Sequence, residues 1–224
     1  MKTIVDYIYE STKQESLKSN EDFVDLGLSV KWAKYNYGVN PDKLTSPTDW
    51  YGGYYAWGEL KSKTNYSWST YKYAKNSEWD DLTKYCPDNR SLWAYNKKTD
   101  NLTTLESEDD IITVKCGSDF RMPTKKEVNE LLSLPNKWVT KYNDISGLNG
   151  ILFTGKNGNT LFIPAAGAFN GTTYDGDGKS CFLWTSDINP RIPHGAWYLY
   201  SYSHETSVNS AARCLGQSIR AVAK

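Results

Sequence analysis

The residues able to do chemistry in this chain are few. They are His194 and His204, the cysteines Cys86, Cys116, Cys181 and Cys214, and the acidic run Glu108-Asp109-Asp110. A nucleophile, a base and an orienting acid can be assembled on paper from Ser203, either histidine and Asp187. The sequence has no Gly-x-Ser-x-Gly elbow to hold such a serine, and lone loop histidines more often meet solvent or a partner than act as bases. The cysteines form no CxxC pair, so closely spaced zinc ligands are lacking. They are either one or two disulfides or four free thiols, with free thiols the favoured reading. A reactive thiol wants a cation or a helix N-terminus nearby, and Arg213 beside Cys214 is the one hint of that. Acidic side chains favour a helix start through the helix dipole, which explains Glu108-Asp109-Asp110 without a metal. Asp175-Gly176-Asp177-Gly178 offers oxygen ligands, but a hard cation needs six or more; a polar turn is the simpler reading. No Walker loop or dinucleotide fingerprint is present. Catalytic residues, metal and cofactor are therefore all expected to be absent.

The last forty-odd residues point elsewhere. From residue 182 to the end they read as strand, turn, strand, turn, strand, closing on Gly216-Gln217-Ser218-Ile219-Arg220-Ala221-Val222. Residues that want burial (Trp184, Trp197, Leu199, Val208, Ile219, Val222) alternate with Asp187, Asn189, Arg191, His194, Tyr200, Tyr202, His204, Glu205, Asn209 and Arg213. A packed core has no use for that second set. Loops and strand ends that present side chains to a partner do. These ten residues are the expected ligand-binding face. In the strand around residues 196–203, period two sends Trp197, Leu199 and Ser201 one way and Tyr198, Tyr200 and Tyr202 the other. The Trp197 side is expected to face the core.

The totals narrow the partners. Basic and acidic residues balance at 26 each, so no electrostatic pull toward nucleic acid or an anionic membrane is expected. Nine Trp and seventeen Tyr supply a core despite the polar average. No stretch is apolar enough to span a bilayer, and the first ten residues lack a signal-peptide apolar region.

The elements that must position this face follow from local patterns. Residues 3–18 read as an amphipathic helix, either an anchor docking on a larger assembly or a locally packed leader. One main domain is expected over residues 21–224. Residues 23–33 suggest strand, tight turn, strand. Residues 50–59 are dense in aromatics and glycine. Residues 61–104 read as a long irregular insertion pinned by aromatics, and residues 106–116 as a short helix. Thr124 and Glu127 form a capping box ahead of Val128, Leu131 and Leu132, with Pro135 ending the helix. Asn157-Gly158 between two β-rich runs predicts a hairpin over residues 150–164, and residues 170–179 read as a glycine-rich loop.

Four pieces in order carry a resemblance. They are Val24-Asp25-Leu26-Gly27-Leu28-Ser29-Val30-Lys31-Trp32-Ala33, Tyr54-Tyr55-Ala56-Trp57-Gly58-Glu59, Phe120-Arg121-Met122-Pro123-Thr124, and the closing Gly216-to-Val222 motif. Together they resemble the Fibrobacter succinogenes major paralogous domain, a family abundant in gut Bacteroidetes and their phages. The resemblance implies an α+β, C-type-lectin-like fold: a small twisted antiparallel sheet, two flanking helices and extensive ordered loops. That fold is related to formylglycine-generating enzymes and similar to the variable proteins of diversity-generating retroelements. Where family members commonly carry Tyr-Tyr, this chain has Cys214-Leu215, a change that either diversification or ordinary drift would leave. Nothing around Cys181 and Cys214 matches the formylglycine enzyme's cysteine motif. The calcium-lectin loops are also missing: Ser186-Asp187-Ile188-Asn189-Pro190 and Trp184-Thr185-Ser186 stand in their places. The implied function is non-enzymatic recognition of a bacterial surface protein or glycan, as a phage virion component in preference to an extracellular protein. A secreted or surface adhesin, a decoration protein without ligand, and a cryptic hydrolase or oxidase are the rivals.

Overall fold

The computed structural model describes residues 22–87 and 99–224. The helix expected over 3–18, and Trp93 and Tyr95, lie outside the described residues. Within them the chain is mixed α+β, built mostly of small antiparallel sheets with few helices. The sheets are four in number among the described residues, where a single small one was expected.

The first of these sheets joins the two ends of the described chain. Strands β1 (Phe23–Val24) and β2 (Lys31–Ala33) flank a turn in which Asp25 Oδ1 accepts the Gly27 N–H at 2.8 Å. The strand nearest the C-terminus, β12 (Val222–Ala223), inserts between β2 and β3 (Phe120–Arg121). The aromatic block then packs back on this sheet. Gly52 has φ +73°, and a Cβ there would come within 2.5 Å of the Tyr37 carbonyl oxygen, so only glycine fits so close an approach.

The described parts of the long insertion, residues 61–87 and 99–104, are largely irregular, as the spacing suggested. Residues 60–87 hold only two 3-10 turns, Trp68–Thr70 and Lys75–Ser77, yet Tyr66, Tyr71, Tyr73 and Tyr85 are all buried. Their rings meet edge to face, Tyr71 on Tyr73 at 5.7 Å and Tyr73 on Tyr85 at 5.5 Å. Aromatic packing does here what backbone ladders do elsewhere.

Helix α1 (Ile111–Cys116) is shorter than expected. Asp110 caps it, accepting from the Ile112 and Thr113 amides, so residues 106–109 form a turn ahead of it. Helix α2 (Lys125–Leu132) begins with the capping box read from the sequence. Arg121 then clamps Glu127 through two hydrogen bonds of 2.8 and 2.6 Å. Strand β4 (Asn136–Val139) follows, unforeseen in the sequence. It pairs with β5 (Gly150–Thr154), which forms the expected hairpin with β6 (Thr160–Pro164).

Residues 166–177 correct the sequence reading. The presumed glycine-rich loop is largely a second hairpin, β7 (Ala166–Asn170) with β8 (Thr173–Asp177). Finally β9 (Cys181–Ile188), β10 (Gly195–Tyr202) and β11 (Glu205–Ala212) form a three-stranded sheet ordered β11-β10-β9. Leu183 and Leu199 face a cluster with Val128 and Leu131 of α2, whereas Trp184 and Tyr198 face a second cluster with Trp57 and Tyr85. This sheet therefore has core on both sides.

Candidate ligand-binding face

The register of the terminal sheet decides which side chains meet. Tyr202 lies opposite Glu205, Tyr200 opposite Ser207 and Tyr198 opposite Asn209; on the other side Tyr200 faces Phe182 and Tyr198 faces Trp184. Opposed residues share a face of the sheet. One surface thus carries a ladder of rings: Phe182 and Tyr200 with centroids 5.3 Å apart, Tyr200 and Tyr202 at 5.6 Å, and Tyr202 and His204 at 6.1 Å. Burial is graded along it. Tyr198 is 8% exposed, Tyr200 and Tyr202 are half-buried, and Glu205, Asn209 and His204 are exposed. The Trp197 side is core as expected at Leu199 and Ser201, but Trp197 itself is half-buried, with the Lys125 ammonium 3.3 Å from its ring centre.

Six residues chosen from the sequence fall elsewhere or do other work. Strand β10 is eight residues long, so its ends stand about 23 Å apart. Asp187, Asn189, Arg191, His194 and Arg213 sit at the end remote from Tyr202. Asp187 is tied down, accepting from Thr104 Oγ1 and the Lys125 amide, both at 2.6 Å. Asn189 is buried and bonds Ser210 Oγ and the Arg191 amide. Arg213 is fully buried, donating to the carbonyls of Lys84 and Tyr85 and lying over Trp57 and Tyr71. Asn189 and Arg213 are therefore framework residues and not parts of an exposed face, because polar type alone misjudged two side chains whose partners are inside. His194 packs edge-on against Trp79 and Trp68, at 5.0 and 6.4 Å. Burial, then the neighbouring Arg213, lowers its pKa, so the imidazole is neutral at pH 7. Arg191 is exposed on the loop before it. His204 belongs to the turn tip, where its ring prolongs the ladder beyond the end of β10.

Phe182 and Ser207 belong to the face and were missed. For Ser207 the signal was present, because a two-residue turn at Ser203-His204 fixes every opposed pair of β10 and β11; Phe182 lies on β9, whose pairing with β10 shifts register and is not set by that turn.

The remaining reactive groups are spoken for. All four cysteines are free thiols. Burial pushes Cys181 and Cys214 up to about 12, the reverse of an activated thiol. The Glu106, Glu108 and Asp109 carboxylates lie within 4.8 Å of one another, but the Lys84 ammonium already contacts all three, at 2.6, 2.9 and 2.6 Å. Asp177 accepts a long bond from Tyr174 Oη on the same strand, β8. No helix of the described residues is long and apolar enough to cross a membrane. Comparison with family models, characterised proteins and solved structures finds no match to this chain.

Proposed function

We propose that this chain is a non-enzymatic recognition domain of C-type-lectin-like fold, a member of the major paralogous domain family that its motifs resemble. The observation that carries the reading is the graded aromatic face of β9-β10-β11: Tyr200, Tyr202 and Phe182 half-open, flanked by Ser207, Asn209 and Glu205. Tyrosine gives rigid amphipathic contact at low entropic cost, and short polar neighbours adapt to a partner. The meeting of β1, β2 and β12 supports the lectin-like reading, as does a long irregular insertion held by buried rings. The raised thiol pKa values and the occupied acidic trio favour binding over catalysis.

The habitat that fits the resemblance best is a phage virion, where the domain would recognise a bacterial surface protein or glycan. A retroelement-diversified C-terminal region would serve that role. Binding of the labelled chain to intact Bacteroidetes cells, read by flow cytometry, tests the function. Replacing Tyr200 and Asn209 together by Ser should lose most binding while the chain, though its melting point falls, stays folded at the assay temperature. Unchanged binding by that variant overturns this face as the binding site, and no binding by the unaltered chain overturns the reading in favour of a decoration protein. Capsid and tail genes beside its own separate a virion component from a bacterial adhesin.

A further inference from the structure

The terminal sheet is closed on one edge and open on the other. On β9 the amides of Trp184, Ser186 and Ile188 donate to the carbonyls of Ser218, Pro123 and Thr103, at 3.1, 2.8 and 2.9 Å. At the far side lies β11, last in the order β11-β10-β9. The two-residue turn at Ser203-His204 makes Tyr202 and Glu205 a hydrogen-bonded pair. Bonded and unbonded pairs alternate along an antiparallel ladder. Ser207 and Asn209 therefore bond back to β10, whereas the N–H and C=O groups of Thr206 and Val208 point outward. Among the described residues those outward groups meet no hydrogen-bond partner. Beyond them the edge closes: Asn209 Oδ1 accepts the Ser210 N–H at 2.8 Å, and the Ala212 carbonyl accepts the Leu215 N–H at 3.1 Å.

Edge strands are usually guarded by lysine, proline, a bulge or short length. Strand β11 has eight residues in unbroken register with β10 and carries neither lysine nor proline. We propose that this edge captures an extended strand of a partner protein, which joins the sheet beside β11. The proposal rests on the recognition reading above and chooses protein over glycan as the partner of that face.

The side chains around the edge say what the captured strand should carry. In strand addition, main-chain bonds give affinity and alternate side chains give specificity. The added strand would lie about 5 Å from β11 and so about 10 Å from β10. Its alternate side chains fall on the ladder face, in line with the Tyr200–Ser207 and Tyr198–Asn209 pairs. Ser207 is too short to fill the space beside Tyr200, so a long or aromatic side chain of the partner reaches over it. Glu205 is exposed and is the one formal charge on β11. It calls for lysine or arginine on the added strand. The partner segment therefore alternates aromatic or long apolar residues with small polar ones and has a basic residue at the Glu205 end. A second copy of this chain fits poorly, because β11 reads Glu-Thr-Ser-Val-Asn-Ser-Ala-Ala and offers neither an aromatic nor a basic residue.

Amide hydrogen exchange on the full chain is the first test. Thr206 and Val208 should exchange at least about ten-fold faster than Ser207 and Asn209. If all four are equally slow, the edge is covered and the proposal falls. The second test is an array of peptides of about ten residues that alternate threonine with tyrosine, phenylalanine or leucine and carry a lysine near either end. At least one should bind the chain and protect the Thr206 and Val208 amides. N-methylation of that peptide on the amides facing β11 should weaken binding about ten-fold, while methylation of the alternate amides should change it little. Glu205→Lys, at an exposed position, should weaken it about five-fold. Peptide binding that leaves Thr206 and Val208 unprotected would overturn the proposal. So would binding of dextran or methyl glycosides with none of any peptide. A concentration-dependent dimer that protects the same amides without peptide would assign the edge to a second copy and also overturn it. Loss of cell binding in the Tyr200 and Asn209 variant, with no peptide protecting the edge, would leave the recognition reading standing and remove only strand capture.

Discussion

Arg220 holds Asn36 across most of the chain. Its Nε and Nη2 both donate to Asn36 Oδ1, at 3.0 and 2.8 Å, while Nη1 donates to the Phe162 carbonyl at 2.8 Å. The guanidinium is fully buried, and its pKa is drawn down to about 9 by that burial, so it stays charged at neutral pH. The arginine of the closing motif is thus a bolt joining the segment after β2 to the β5–β6 hairpin, and Asn36 in turn donates to the Tyr51 carbonyl of the aromatic block. Arg220→Met should cost about 3–5 kcal/mol, because it strands the acceptors left behind. Arg220→Lys should recover only part of that, since an ammonium cannot copy the planar fork. Urea denaturation measures both.

Arg213, equally buried, should behave differently. Among the described residues its Nε and Nη2 have no hydrogen-bond partner, and only Nη1 is engaged. A buried cation lacking partners carries a desolvation cost that an apolar side chain of similar length avoids. Arg213→Met should therefore destabilise by less than Arg220→Met, by about 2 kcal/mol or more. Equal losses would mean that the ring contacts with Trp57 and Tyr71 hold Arg213 as firmly as hydrogen bonds hold Arg220.

Acid should weaken the fold in two stages. Burial works against the charge on Asp109, but hydrogen bonds from Lys72, Lys84, Tyr73 and Tyr85 outweigh it and hold the carboxyl well below its ordinary range. Glu127 is lowered in the same way by Arg121 and the Thr124 amide, against burial. A depressed carboxylate stabilises the fold above its unfolded pKa of about 4, and that contribution fades as pH falls toward the folded value. Asp110, pushed upward by burial, acts the other way and at higher pH, adding stability as pH falls from its raised folded value toward about 4. His194 acts earlier. Its lowered pKa means the unfolded chain takes up a proton first, so stability begins to fall below about pH 6.5. Urea midpoints should decline gently from neutral pH and steeply below about pH 4; His194→Gln should remove the first phase only.

What was legible followed local rules. The capping box at Thr124 and Glu127 and the Asn157-Gly158 hairpin could be placed to the residue, because side chains only a few positions apart dictate them. The β7–β8 hairpin was hidden by its own glycines. Gly167 and Gly176 have positive φ, and a Cβ on Gly167 would run into the Asp175 carbonyl. There glycine permits close strand approach, which in sequence looks the same as a loop. The division of the recognition residues was hidden for another reason. Asp187 and Tyr202 read as neighbours in a motif, yet the length of β10 sets them at opposite ends of the sheet. Nor does residue type reveal that Asn189 and Arg213 find their partners inside.

Thiol chemistry offers a test of burial that ignores binding. Cys181 and Cys214 are buried, and both thiols are pushed up to about 12, so little thiolate forms at neutral pH. Cys86 is also buried, while Cys116 at the end of α1 is half-exposed. Alkylation of the native chain at pH 7.5, about a unit below the free-thiol value, followed by peptide mass spectrometry, should label Cys116 first. The other three should react only on unfolding. Early labelling of Cys214 would reopen a reactive-cysteine role.

The tyrosine ladder should show its division of labour in stability measurements. Tyr198 packs on Trp184 and Phe182 inside the core cluster, with ring centroids 5.9 and 5.8 Å away. Tyr198→Ala should cost about 3–5 kcal/mol, as a buried aromatic truncation does. Tyr200 is half-buried, so its loss should cost about half as much, scaling with the area returned to water. Tyr202, at the end of the strand, makes a long 3.5 Å contact with Glu205 and edge contact with His204. Tyr202→Ala should cost under about 1 kcal/mol. The gradient matters for recognition, because positions that bear little of the fold's stability can change to suit a partner without unfolding the scaffold. Thermal melts of the three variants read it directly. If Tyr202→Ala proved as damaging as Tyr198→Ala, the exposed end of the ladder would be structural, and the proposed binding face would lose its foundation.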